Sequence, residues 1–210
     1  MGCPDNIEIK PHLGRQLPHT TNVDKSSICG EFSDCKKYRY TLEFSYNVDT
    51  SIRNKSLIII MKNPSSANVM LADNTIHRVE KYIYHHFNDV LHVKILNLFA
   101  IRATKVLDVK NILKVTNELC ITGIDNNAHL IEAVRDTDYI IFAWGGPSGI
   151  PKNIYDNRIN FIVNVIQENI KDKTLIYRIN SERGNDKYPF HPCFSSINHS
   201  RVLWKNHLTP

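Results

Sequence analysis

The 210-residue chain has no apolar run that approaches the roughly 20 residues a bilayer crossing requires. Its first residues, MGCPDN, lack the apolar centre of a secretory signal, and Asn6 stands where a myristoylation signal wants Ser or Thr. A cytoplasmic location with no membrane partner is therefore expected. Cysteine is sparse: the five, at 3, 29, 35, 120 and 193, form no C-x-x-C pair, which fits reduced thiols better than a cluster or zinc site. Cys29 and Cys35 are the one close pair, with His12 and His19 upstream, and their spacing alone makes no metal site. Glycine is scarce too. The one glycine-rich stretch, WGGPSG, has the spacing of neither a Walker loop nor a dinucleotide fingerprint, so neither ATP nor NAD binding is inferred, and no cofactor is expected.

What is present describes an ordinary globular chain, with 42% hydrophobic and 22% charged residues. A formal net charge of +5 and ten histidines lean toward an anionic partner such as nucleic acid, though chance surface charge explains them equally. Residues 1–36 are rich in Pro, Asn, Thr, Ser and Lys without a periodic apolar face, and read as an extended or partly ordered arm. Residues 37–210 read as a single α/β domain.

The domain begins with YRYTLEFSYNV, where Tyr38, Tyr40, Leu42 and Phe44 alternate with polar residues as in a half-buried strand. Four apolar runs follow: LIIIM (57–61), VKILNLFA (93–100), DYIIFAW (138–144) and TLIYRI (174–179). Between them lie helical patterns. Ile76, Val79, Ile83, Phe87 and Val90 recur at three and four, behind Asp73 or Asn74 as a cap. A second helix is expected over 126–135 behind Asp125, and a third carries Ile159, Ile162, Val163 and Ile166. Strands alternating with helices predict a three-layer α/β sandwich with a mostly parallel central sheet.

The strand ends are the informative places. LIIIM stops at Lys62-Asn63-Pro64-Ser65-Ser66, the next run holds Asn97 and continues as LFAIRAT, the third ends in Trp144-Gly145-Gly146-Pro147, and the fourth is followed by YPFHPCFSS. In a parallel sheet these clusters meet at one edge, where α/β proteins bind ligands.

In that order the clusters resemble the uracil-DNA glycosylase superfamily, whose buried strand ends in a water-activating loop, with Asn-Pro in the mismatch-specific branch. A later strand there ends in a base-reading Asn, another in Gly, and a final loop bears His-Pro. NPSSAN, NLFAIRAT, AWGG and HP are also similar to a bacterial family catalogued as a domain of unknown function, identified here with a divergent glycosylase branch. The resemblance covers roughly residues 57–196 and implies a glycosylase-like fold, DNA as partner with a flipped base, and hydrolysis of an N-glycosidic bond without a metal. The base implied is uracil or a modified pyrimidine, and some related glycosylases act against phages by removing modified bases.

Carried over by residue, Asn63 would orient the water and His191 would donate to the departing base. Asn97 would read the base edge, with Phe99 and Trp144, and also Phe190, as stacking faces. Lys62, Ser65, Ser66, Arg102, Ser195 and Ser196 would hold DNA phosphates. Each has a plainer alternative. Asn63 suits a turn before Pro64, Asn97 suits a structural bond, the aromatics suit a core, and the serines suit ordinary loops. Asp73 is a rival carboxylate for the water, though a helix cap explains it. Ser65 and Ser66 stand where the mismatch-specific branch has Gly, and Cys193 where Ser is usual. Two other function classes stay open: a noncatalytic nucleotide or modified-nucleic-acid binding module, and a nucleoside or nucleotide hydrolase.

Overall fold

The structure is a computed structural model, and it describes residues 15–103, 106–115, 117–181, 184–192 and 200–204. In chain order the elements are β1 (Gln16–Leu17), β2 (Val23–Cys29), β3 (Leu42–Tyr46), β4 (Lys55–Met61), β5 (Ala72–Asp73), α1 (Asn74–His86) and β6 (Val90–Asn97). They continue as α2 (Val106–Val115), α3 (Leu119–Thr122), α4 (Asn126–Arg135), β7 (Tyr139–Ala143), α5 (Lys152–Asn169), β8 (Leu175–Ile179) and β9 (Arg201–Leu203).

Five unalternated apolar residues in β4 follow from its position. It lies mid-sheet, parallel to β6 on one side and β7 on the other, so both its faces are covered. Leu57, Ile59 and Met61 meet the cluster that holds Ile76, Val79 and Ile83 of α1, whereas Ile58 and Ile60 meet the opposite cluster with α4 and α5. The architecture is thus α/β, with a seven-stranded sheet ordered β2-β3-β6-β4-β7-β8-β9 between helices on both faces. The expected mostly parallel sheet is corrected to a mixed one. Only β6-β4-β7-β8 are parallel; β2 and β3 at one edge and β9 at the other run antiparallel.

At α1 the helix signal has the cause read from sequence: Asp73 caps it by accepting from the amides of Thr75 and Ile76. α4 and α5 cover the expected patterns, but Asp125, expected to cap α4, stands at its N-cap position without a side-chain cap hydrogen bond. α1 stops at His86, so Phe87 becomes its cap and Val90 opens β6. β6 ends at Asn97, and residues 98–100, expected within the strand, turn away from it. No helix among the described residues is long and apolar enough to cross a membrane.

The described part of the expected arm joins the sheet. β2 pairs with β3, and β1 pairs with β5 in a small second sheet. His19 fastens this segment: its Nδ1 lies 2.5 Å from Glu80 Oε1 and its Nε2 lies 3.2 Å from the carbonyl of Asn68. Thr20 N donates to Glu80 Oε2 at 2.8 Å. Burial alone would lower the pKa of His19, but the hydrogen bond and charge of Glu80, with the Asn68 carbonyl, raise it. Acceptors at both ring nitrogens favour the imidazolium.

One irregularity positions a later side chain. The amides of Tyr40 and Thr41 both donate to the carbonyl of Glu31, at 2.8 and 3.4 Å, so two residues face one. Tyr38 and Tyr40 consequently fall in the α4/α5 cluster, while Leu42 and Phe44 fall in the α1 cluster.

Candidate active site

β4 is where the chain's connections diverge. Its own exit leads to α1 on one face, whereas β6 and β7 lead to helices on the other, so a crevice opens at its carboxyl end. A cleft of about 260 Å³ lies there, walled by Arg39, Met61, Asn63, Ser65, Thr75, Ile76, Ala103 and His191. Three of the sequence-predicted residues, Asn63, Ser65 and His191, therefore share one site.

Asn63 has a fixed orientation. Its amide nitrogen donates to the carbonyl of Ala103 at 2.5 Å and to that of Pro64 at 3.1 Å. Two carbonyls can receive only from the NH2 end, which leaves Oδ1 as the atom for a ligand or water. Ser65 Oγ donates to Asp73 Oδ2, so its hydroxyl is engaged within the loop. Asp73, the rival carboxylate, also receives Ala67 N at 3.2 Å, Thr75 N at 2.9 Å and Ile76 N at 3.0 Å. It is a saturated cap that holds the loop onto α1.

His191 reaches the cleft because the AWGG turn permits it. Gly145 has φ +67°, and a Cβ there would stand 3.1 Å from His191 Cβ. Gly145 N donates to Pro189 O at 2.8 Å, Trp144 Nε1 donates to Lys187 O at 3.0 Å, and the Tyr155 hydroxyl bonds the carbonyls of Trp144 and Gly145. Burial first, and the charge of Lys62 second, push the imidazole from 6.5 down to about 4, against the pull of Asp73. At neutral pH His191 is an uncharged hydrogen-bonding group.

Asn97 pairs in parallel register with Met61, so its side chain shares the face of that cleft residue. It is completely buried, and neither Nδ2 nor Oδ1 has a hydrogen-bond partner among the described residues. A structural bond for this amide, the plainer alternative, is not seen there.

Other expectations are placed elsewhere. Phe99 and Trp144 are each 1% exposed in the cluster on the opposite sheet face, packed against Tyr155 and Phe142 respectively, and offer no ring face to a base. Their expected stacking role is corrected to core packing. Phe190 is buried in the α1 cluster. Lys62, Ser66 and Arg102 do not wall the cleft: Lys62 Nζ stands 5.6 Å from the Tyr155 ring, Ser66 is buried, and Arg102 bonds Lys36 O at 3.2 Å over the Phe32 ring. Ser195, Ser196 and Cys193 lie outside the described residues.

Sequence reasoning missed Arg39. It is 1% exposed, walls the cleft, and donates Nη1 to Ala67 O at 3.0 Å. Burial draws its pKa from 12.5 to about 10, with Asp73 opposing, so it stays cationic at neutral pH. The shared Glu31 carbonyl marks the irregularity that turns it inward, and plain alternation gives no sign of it.

Among the described residues no three His, Cys, Asp or Glu side chains are grouped to hold a metal ion. Cys29, Cys35 and Cys120 are free thiols. No curated protein and no solved structure matches the chain. Residues 39–193 match the family described as "Protein of unknown function (DUF1643)", and the chain belongs to that family.

Proposed function

We propose that the chain is a DNA glycosylase of uracil-DNA glycosylase-like type, which hydrolyses the N-glycosidic bond of uracil or a modified pyrimidine and leaves an abasic site. The observation that carries this reading is Asn97. A fully buried amide with neither end paired is costly, on the order of 1–3 kcal/mol per orphaned group, and it stands at the carboxyl edge beside the cleft wall. A ligand that offers both an acceptor and a donor, as a pyrimidine edge does, relieves that cost.

The other residues suit the same chemistry. The C1′–N bond breaks with its electron pair leaving on the base, and the water oxygen bonds to C1′. The proton released by that water passes through solvent to the base. Asn63 Oδ1 is oriented to hold the water, and neutral His191 can donate a hydrogen bond to the base oxygen that gains charge. An amide is no strong base, so a dissociative path and slow turnover are expected. A role in removing phage-modified bases belongs to this proposal.

One observation favours a noncatalytic module that binds a nucleotide or modified nucleic acid. Asp73, the carboxylate that holds the cleft loop, has its oxygens occupied by four donors and serves as a cap, so it is not free to activate water.

Incubation of purified protein with ordinary, uracil-containing and modified phage DNA, followed by mass spectrometry for free base and alkali cleavage of the strand, tests the proposal. Release that disappears in Asn63→Ala or His191→Ala supports it. Binding without release favours the module, and release from free nucleosides alone favours a nucleoside hydrolase.

A further inference from the structure

Arg39 is a buried cation that lacks the usual reason for being buried. Nη1 meets the Ala67 carbonyl at 3.0 Å, Nε is buried without a partner, and no carboxylate forms an ion pair with it among the described residues. Asp73 acts on it only at longer range, and Arg102 opposes it. A guanidinium withdrawn from water without a counter-charge is expensive. Its backbone bond to Ala67 uses one of five donors. Lys62 and Asp73, of opposite sign, also act on the cleft, and His191 is uncharged at neutral pH, so Arg39 is the cation in the cleft wall itself.

We propose that Arg39 takes the departing base as its ring anion, so that the preferred ligand of the cleft is an acidic planar heterocycle rather than a neutral one. This rests on the reading of the cleft as a base-excision site. As the C1′–N bond breaks, the electron pair delocalises over the ring and its oxygens, and a fixed guanidinium that already faces the cleft stabilises that charge without reorganising. Arg39 thereby supplies the full charge that a neutral His191 cannot.

The test separates the anion site from the excision reading. Full-length protein at neutral pH is titrated calorimetrically with barbiturate, an anionic pyrimidine ring, and with uracil, a neutral ring of the same size. Wild type should prefer barbiturate by about tenfold or more, equal to roughly 1.4 kcal/mol. Arg39→Gln should lose the preference and Arg39→Lys should keep part of it. Thermal melts accompany both variants, and if the Gln variant does not fold, the Lys variant decides the matter. Equal affinity of wild type for the two rings, no binding of either, or a preference unchanged in the folded variants overturns the proposal.

On DNA, Arg39→Gln should slow release of uracil by about 100-fold and release of the more acidic 5-fluorouracil by less. Equal losses on both bases would mean that Arg39 merely holds the Ala67 loop, and would overturn the proposal. An Arg39-dependent barbiturate preference without base release from any DNA would keep the anion site and sink the excision reading.

Discussion

The two ends of the parallel strands differ in how their polar groups are treated. At the amino end, Asp138 receives Lys55 Nζ at 3.1 Å, Ser56 N at 2.9 Å and Ser56 Oγ at 3.2 Å, and Thr174 Oγ1 donates to Thr137 O at 2.7 Å. A cavity of about 480 Å³ lies there, lined in part by Ser56, Asp136, Thr137 and Asp138. At the carboxyl end the cleft is smaller, about 260 Å³, yet Arg39 Nε is left unpaired in its wall and both amide atoms of Asn97 beside it. Volume and unsatisfied polarity thus point to different ends of the sheet. Unsatisfied buried polarity singles out the end where a ligand would complete the structure.

The sharpest way to break that contrast is to alter both ends and compare. His191→Ala or Asn63→Ala should lower base release by about 100- to 1,000-fold in single-turnover assays, the size seen when one transition-state hydrogen bond is removed. Asp138→Ala, at the satisfied end, should leave the rate unchanged and cost on the order of 1 kcal/mol in urea melts. A slowed Asp138 variant would mean that the amino end takes part in function.

Asn97→Leu comes next in size. It removes an unpaired amide, so stability should hold or rise by about 1 kcal/mol while ligand binding and release are lost. A strong loss of stability would show that Asn97 makes a structural bond and would erase the distinction between the ends.

The smallest effect is in pH. His191 is held at about 4 against an ordinary 6.5, so the unfolded chain takes up more protons between those values and stability falls as pH drops through that window. His19 is raised above 6.5, so its contribution is complete below that value and fades as pH rises through the folded pKa. Urea melts across pH should therefore peak between the two. Replacing His191 with Gln should flatten the acid side, and replacing His19 with Gln should flatten the alkaline side; no change in either slope would refute these assignments.

Much of this was legible in the sequence, and for physical reasons. Five apolar residues before Lys62 required a strand covered on both faces, and the 3.6-residue period behind Asp73 required a capped helix. The convergence of Asn63, Ser65 and His191 followed from parallel strands that share a carboxyl edge. β2 was hidden because VDKSSIC is polar at most positions; an edge strand needs only one buried residue to be held by its neighbour's backbone, and here that residue is Val23. Phe99 and Trp144 were misplaced because an aromatic near a strand end points to either face, and the sequence does not say which. Arg39 was invisible because an irregularity in the backbone, and no residue type, determines where it points.

That irregularity gives the family a way to change chemistry without touching a motif. One residue inserted beside Glu31 would give Tyr40 and Thr41 separate partners and restore plain alternation through Thr41, turning a guanidinium out of the cleft and a tyrosine ring into it. Among relatives, the length of this segment is therefore a heritable character in its own right. An insertion beside Glu31 would separate lineages with differently charged sites, even where NPSSAN, ILNL, AWGG and HP are spelled identically.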